Sequence, residues 1–146
     1  MPDEELNVGL LMMIAHRSME NRVFAGLAEA GYGDITVAQG RIVAQIGAAG
    51  TRLTELAERA QVTKQTAGFL VDQLERSGYV ERVADPSDGR ARLVRLTAHG
   101  LAGAEFANSI AERVQREWAV HLGPQHMRHL RAAMTRLREI TDPYAG

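Results

Sequence analysis

Four short or flexible polar side chains, Thr63, Lys64, Gln65 and Thr66, stand together in the middle of the sequence. All four can donate hydrogen bonds. A glutamine can pair with the edge of adenine at two points, and a lysine can contact guanine or phosphate. Thr63 is also a suitable N-cap for a helix over 64–77, which would expose these side chains at the start of that helix. This arrangement is typical of a helix that reads the major groove of DNA.

A second group of residues, further along the chain, favours the same chemistry. The stretch from Gly89 to Ala104 has no acidic residue, and it contains Arg90, Arg92 and Arg95. An arginine at the tip of a β-ribbon can enter a narrow minor groove, where the negative potential of DNA is strongest. We expect Asp88 to hold Arg90 in position by a salt bridge.

The hydrophobic periodicity predicts the elements that must position these residues. Thr36 and Gln39 form a capping box, and Thr54 is a plausible N-cap for the third helix. Two strands are expected around a long tip, 85–89, which is dense in turn formers. In chain order we predict helices over 4–30, 36–46, 55–60 and 64–77, strands over 79–83 and 92–96, and helices over 98–122 and from after Pro124 to about 140.

Two helices joined by a turn of about three residues, with a hairpin directly after them, form a winged helix-turn-helix. The small Ala57 allows close helix approach, with Ala67 and Leu70 as its partners on the second helix. Each feature alone has an ordinary explanation, since threonine caps and strand arginines are common on protein surfaces. Their occurrence in this order and spacing favours binding to double-stranded DNA.

The flanking helices carry long apolar stripes that nothing else in the chain can cover, and a second copy of the chain is the economical partner. Terminal helices that fold back as a cap are the alternative. The predicted fold class is therefore mainly α with a small β-hairpin. A single domain, 1–146, would contain a winged helix-turn-helix lobe, 35–97, flanked by N- and C-terminal dimerisation helices, 4–30 and 98–140.

The composition excludes several classes of function. The chain of 146 residues has no cysteine, so disulfides, cysteine-ligated metals and thiol nucleophiles are excluded. Its longest apolar run, 8–15, is too short to span a bilayer and follows acidic residues, so we expect a cytoplasmic protein with no membrane partner. It has no nucleotide-binding glycine loop, serine-hydrolase motif or zinc-protease motif, so we expect neither an enzyme nor a cofactor.

The charge is nearly balanced, with 17 basic and 18 acidic residues. Even 51–96 holds eight basic and seven acidic side chains. This balance predicts weak non-specific binding to DNA, with an operator preference that depends on a few placed arginines and one lysine.

The sequence resembles a known family, the MarR-type transcriptional regulators. The matching segments are 53–59, 62–66, 74–82 and 85–100, and the last is the most specific because of its Asp-Pro-x-Asp-x-Arg tip and Leu-Thr-x-x-Gly exit. The resemblance implies a homodimer that presents two winged lobes to a pseudo-palindromic operator, with residues 63–66 in the major groove and Arg90 in the minor groove. Members usually repress a neighbouring operon and release DNA when a small, often aromatic or phenolic, anion binds.

The chain departs from the family pattern at three places. Gln61 stands where many members have glycine, so a left-handed turn there would carry strain of roughly 1 kcal/mol. Gly68 and Phe69 stand where many have a hydroxyl residue and an arginine, and Gly89 replaces a frequent first wing arginine. We still place Phe69 and Arg92 among the expected DNA-contacting residues. The departures keep open a winged-helix module that docks on protein.

Two further groups of residues have ligand-binding chemistry. We expect an aromatic carboxylate effector to contact Met13, His16, Arg17, Phe106 and Ile110, because an Arg-His pair near apolar side chains suits such an anion. The alternative makes Arg17 a salt-bridge partner across the dimer, to Glu20 or Glu117. Histidines 121, 126 and 129 have spacing that can chelate zinc or nickel, but Gly123-Pro124 divides them. We therefore assign no metal site, and a metal-responsive regulator stays an alternative.

Overall fold

The structure is a computed structural model of the chain and describes residues 5–145. It has six helices and a two-stranded antiparallel sheet in those residues, which confirms the mainly α fold with a small hairpin. The elements are α1 (Val8–Glu29), α2 (Val37–Val43), α3 (Leu53–Ala60), α4 (Lys64–Arg76), β1 (Val80–Asp85), β2 (Asp88–Leu96), α5 (Ala98–Leu122) and α6 (Pro124–Thr141).

The chain divides into two compact units, each with its own packing. The first comprises the residues up to Val23 and from Ser109 onward, and the second comprises Phe24–Asn108. All elements of the winged helix-turn-helix lie in the second unit, while α1 and α5 contribute residues to both.

The core of the second unit forms where α2, α3, α4 and the hairpin turn their apolar faces toward one another. Ala57, Ala67 and Leu70 belong to this cluster, as the sequence predicts for a close helix–helix contact. The buried residues of the cluster are Ile42, Leu56, Ala57, Ala67, Leu70, Val71, Leu74, Tyr79, Val80 and Val94. Burial of these side chains fixes the positions of α4 and the hairpin, which carry the candidate site.

The start of α3 differs from the prediction. Thr36 forms the predicted capping box with Gln39 at the start of α2. In α3, however, the N-cap is Arg52 and not Thr54, and the Arg52 side chain makes no capping bond. The predicted cap at Thr54 is wrong because the helix begins at Leu53, whose side chain packs against the core cluster. The Arg52 side chain reaches the hairpin instead.

The turn between α3 and α4 requires a left-handed residue, and Gln61 supplies it with φ 58° and ψ 43°. The side-chain amide of Gln61 donates to the carbonyl oxygen of Glu58 at 2.7 Å. The predicted left-handed turn is thus present at a non-glycine residue, at an expected strain of roughly 1 kcal/mol.

The hairpin is longer and its tip shorter than the sequence predicts. The strands pair from Val80 opposite Leu96 to Asp85 opposite Asp88, with an irregularity between Ala84 and Asp85. Only Pro86 and Ser87 remain in the tip. The predicted long tip is wrong because the Asp85 carboxylate accepts hydrogen bonds from both the backbone N–H and the hydroxyl of Ser87, which closes a tight turn.

A further backbone pairing ties the helical part of the unit to the hairpin. Thr51 and Val94 exchange two backbone hydrogen bonds of 2.9 Å each. Gly50, with φ +94°, adopts the left-handed backbone that precedes this bridge. No pattern in the sequence indicates this bridge, because a single residue carries no alternation.

The exit from β2 explains the Leu-Thr-x-x-Gly motif. The Thr97 hydroxyl accepts from the backbone N–H of Gly100 and donates to the carbonyl oxygen of Gly78 at 2.6 Å. A Cβ atom at Gly100 would overlap the carbonyl oxygen of Tyr79, so only glycine allows α5 to approach this closely.

The first unit is less buried. Ile110 and Val114 of α5 are buried, but none of the residues of α6 is. Asn7 caps α1 by accepting from the backbone N–H of Leu10 at 2.8 Å. No helix within residues 5–145 is both long and apolar enough to cross a membrane.

Candidate nucleic-acid interface

The first turn of α4 presents the four polar side chains that the sequence singled out, and all four are exposed. Thr63 is the N-cap: its hydroxyl oxygen accepts from the backbone N–H of Thr66 at 3.1 Å. The same hydroxyl donates to the Thr66 hydroxyl oxygen at 2.9 Å. The two threonines are therefore partly used by the helix itself. Lys64 and Gln65 make no side-chain hydrogen bond within residues 5–145, which leaves their donors available to a ligand.

One stripe of α4 lies opposite its core-facing side. Ala67, Leu70, Val71 and Leu74 are buried, and helical spacing of four, three and four residues defines the opposite side. That outward stripe consists of Gln65, Phe69, Asp72 and Arg76, all of them exposed. Any molecule that docks against α4 on this side meets Gln65 and Phe69 near the start of the helix.

Further along α4 the outward stripe is used by the hairpin. Arg82 of β1 donates to Asp72 at 2.7 Å and to Glu75 at 2.9 Å. The single positive charge of Arg82 offsets one of the two negative charges close to the surface that would face DNA. This network fixes the root of the hairpin to α4, and no sequence pattern indicates it because the partners lie on different elements.

A second ion pair holds the tip of the hairpin. The Arg52 guanidinium donates to Oδ2 of Asp85 through Nε at 3.1 Å and Nη2 at 2.8 Å. The hydrogen bonds from Ser87, followed by the one from Arg52, lower the pKa of the buried Asp85 to about 2. Asp85 therefore stays ionised at neutral pH and joins the start of α3 to the turn of the wing.

Asp88 does not hold Arg90 in the way that the sequence predicted. Its Oδ1 accepts from the backbone N–H of Arg90 at 3.1 Å, and its Oδ2 lies 3.7 Å from Nη2 of Arg52. The expected salt bridge to the Arg90 guanidinium is absent from residues 5–145, because Asp88 faces the cation at the start of α3.

The three arginines of β2 differ in their partners. Arg95 donates to Glu81 on the opposite strand at 2.7 Å. Arg90 and Arg92 are exposed, and neither guanidinium has an ion pair or hydrogen bond within the described residues 5–145. Gly89 beside them has open space, since an added Cβ would meet no atom within 4 Å. The tip of the wing thus presents two available cations.

A buried hydrogen bond joins the start of the hairpin to the segment between α1 and α2. The Tyr79 hydroxyl donates to Asp34 at 2.5 Å, and the Tyr79 side chain is fully buried. Burial and the bond to Asp34 raise the pKa of Tyr79 above that of a free phenol. The rings of Tyr32 and His99 lie beside it, at centroid distances of 6.3 and 4.5 Å. In the sequence, Tyr79 is predicted only as the start of a strand, and no short pattern indicates its contact with Asp34.

The residues expected to bind an effector fall in different parts of the chain. Met13, His16 and Arg17 are exposed residues of α1, and Ile110 is a buried residue of α5, all in the first unit. Phe106 belongs to the second unit, where its ring lies 6.2 Å from that of Tyr32. The effector site stays a prediction.

The alternative partners of Arg17 are engaged elsewhere. His16 lies 3.6 Å from Glu20, and Glu117 pairs with Arg22 at 2.8 Å, which lowers the pKa of Glu117. No group of three histidine, aspartate or glutamate side chains in the part of the chain that the structure describes is arranged to hold a metal ion.

Known proteins share this arrangement. Residues 33–91 match the sequence model of the MarR family. The apo structure of wild-type MarR from E. coli is 25% identical, with a TM-score of 0.73, and the match covers 92% of this chain and 98% of that one. An F27L mutant of MepR from S. aureus bound to an oligodeoxyribonucleotide is 23% identical, with a TM-score of 0.59, and the match covers 92% and 98%.

A curated relative gives a similar result at the level of sequence. The exopolysaccharide II synthesis transcriptional activator ExpG of Rhizobium meliloti (strain 1021) is 27% identical over 130 residues, which is 89% of this chain. The match spans 66% of that relative's length, just under two thirds.

Proposed function

We propose that this chain, which is a MarR-type winged-helix transcriptional regulator, binds a pseudo-palindromic operator as a homodimer and represses transcription until a small ligand releases it. The proposal depends on one observation: in the second unit of the chain, some polar side chains have intramolecular partners and others have none. Lys64, Gln65, Arg90 and Arg92 are exposed donors without intramolecular partners in residues 5–145, and they stand at the two places where a winged helix meets DNA.

The expected roles follow from the chemistry of each group. Gln65 would pair with a base edge in the major groove, and Lys64 would contact guanine or phosphate. Thr63 and Thr66 would contribute shorter contacts beside them. Arg90 and Arg92 would contact the minor groove and its phosphates from the wing.

The homodimer is supported by the exposed apolar side chains of the first unit. Several large residues there are about 40% or more exposed: Leu11, Met13, Ile14, Val120, Leu130, Met134 and Ile140. Apolar surface of this kind is seldom left in water. A second copy of the chain would cover it by the same surface on both protomers, and would present two winged lobes to the two half-sites.

A salt titration tests DNA binding. Each lobe offers Lys64, Arg90 and Arg92, so a dimer would neutralise about six phosphates, and its affinity for DNA from its own upstream region should fall roughly a thousandfold between 50 and 200 mM salt. An unrelated duplex of equal length serves as the control. Affinity that is flat with salt, or equal for both duplexes, would contradict the proposal and favour a module that docks on protein.

Repression and release need separate measurements. Because the Rhizobium meliloti relative is named a transcriptional activator, activation is the second candidate. Transcription in vitro from the bound promoter distinguishes the two, because a repressor lowers the transcription rate when it is added and an activator raises it. A thermal-shift screen of aromatic carboxylic acids tests ligand binding, which release requires, and a shift that His16→Ala and Arg17→Ala both retain would remove these two residues from the ligand site.

A further inference from the structure

Phe69 lies at a position on α4 where its side chain does not contribute to the core. It lies in the middle of the outward stripe defined above, and 60% of its surface is exposed. It is outside the core cluster, and it takes part in no ring–ring contact within the described residues. A large aromatic ring left in water on this side of the helix gains free energy only when a ligand covers it.

The position of the ring relative to Gln65 limits what that ligand can be. Phe69 follows Gln65 by one helical turn on the same face, and long helical side chains lean toward the helix N-terminus. The ring therefore covers the surface beside Gln65, on the side that enters the major groove. There the edges of the bases offer one prominent apolar group, the C5-methyl group of thymine.

We propose that Phe69 is a specificity-determining residue that reads thymine by packing its ring against the C5-methyl group. The inference rests on the proposed function, because it needs α4 to lie in the major groove. One turn of α4 advances 5.4 Å, whereas successive base pairs are 3.4 Å apart. The thymine that Phe69 contacts therefore lies one or two base pairs from the base that Gln65 reads.

The chemistry also explains why an aromatic residue is compatible with this place. Asp72, the next residue of the stripe, is paired with Arg82 at 2.7 Å, so part of the negative charge beyond Phe69 is offset. A phenyl ring forms no hydrogen bond with phosphate, so Phe69 adds no sequence-independent affinity for DNA. Its contact instead favours a base edge that carries a methyl group.

The test removes single methyl groups from the DNA. The full chain is used to select its preferred duplex from a random-sequence pool, and each thymine is then replaced symmetrically in both half-sites by deoxyuridine. The dissociation constant is measured for the wild type, Phe69→Ala and Phe69→Leu. Leu101→Ala is the matched control, because Leu101 is an exposed apolar residue of the same unit away from α4.

For the wild type, we expect a loss of about fourfold per methyl group at one position of the half-site, or about sixteenfold for both half-sites. This corresponds to ~0.8 kcal/mol for each buried methyl-sized group. The control keeps the loss, Phe69→Leu keeps part of it, and Phe69→Ala abolishes it. With cytosine at that position, 5-methylcytosine should restore affinity only when Phe69 is present.

Each other outcome is distinguishable. A wild type that is indifferent to every deoxyuridine, or a Phe69→Ala variant that keeps the full loss, overturns the inference while sequence-selective DNA binding stands. A Phe69→Ala variant that binds every duplex as the wild type does likewise overturns the inference, because Phe69 then contributes nothing to DNA binding. If the wild type selects no sequence at all, the proposed function itself fails. Unchanged melting temperatures for both Phe69 variants verify that they fold.

Discussion

The β-hairpin carries arginines at two ends, and the two ends use them differently. At its root, Arg82 bridges Asp72 and Glu75 of α4, and Arg95 pairs with Glu81 across the strands. Near the tip, Arg90 and Arg92 have no such partner in residues 5–145. The same residue type on the same ribbon thus stabilises the lobe at one end and stays available to an anion at the other. The neighbouring acids decide which role each arginine has.

Removal of a tip arginine should give the largest effect. For each lobe, we expect Arg90→Ala to weaken operator binding roughly 10–100-fold, the effect of losing one charge-assisted hydrogen bond, and to reduce the salt slope by about one unit. The melting temperature should not change, since Arg90 has no intramolecular partner. Arg95→Ala is the control at the root and should lose far less affinity. Equal losses for the two variants would remove the distinction between the two ends.

A root arginine should give a smaller effect of a different kind. Arg82→Ala should lower the free energy of unfolding by about 1 kcal/mol, because it breaks two partly exposed ion pairs that form one network. Urea denaturation measures this, and a double-mutant cycle with Glu75→Gln isolates the pair. If Arg82→Ala instead reduces DNA affinity as Arg90→Ala does, at unchanged stability, Arg82 itself contacts DNA.

The ion pair between Arg52 and Asp85 at the tip should give the smallest effect, a change in stability at acidic pH. Because the pKa of Asp85 is lowered to about 2 in the folded chain, its stabilisation is fully present above about pH 4 and is lost as the pH falls toward 2. Asp85→Asn should therefore lose less stability than the wild type between pH 4 and pH 2 in urea titrations. Asp88→Asn controls for the loss of one carboxylate charge at the tip, and an equal change there would contradict a specific role for Asp85.

Much of the fold could be predicted from local patterns. Thr36, Thr63 and Thr97 each cap a helix where the sequence places a cap, since a cap depends only on a hydroxyl and the next turn of backbone. In the winged lobe, the wrong predictions concern the start of α3 and the tip of the hairpin. Thr54 is not the cap because α3 begins at Leu53. The tip is short because Ser87 closes a tight turn on Asp85. Asp88 faces Arg52 and not the Arg90 guanidinium.

In the candidate site, too, some features follow from the local sequence and others only from packing. Exposure of Thr63, Lys64, Gln65 and Thr66 follows from their place at a helix start, and the sequence predicted it. The contact of Tyr79 with Asp34 joins residues 45 positions apart, and no short pattern indicates it. The effector residues lie in both units and remain predictions.

The sequence by itself determined the order of the elements, the starts of α2, α4 and α5 and the residue types offered to DNA, because these depend on spacing and on chemistry within a few residues. Only the tertiary structure decided which arginines are free. The charges of Arg82, Arg90, Arg92 and Arg95 look alike in the sequence, and whether each is neutralised depends on acids that packing brings within about 3 Å from other elements. That distance is set by the core and not by the local chain.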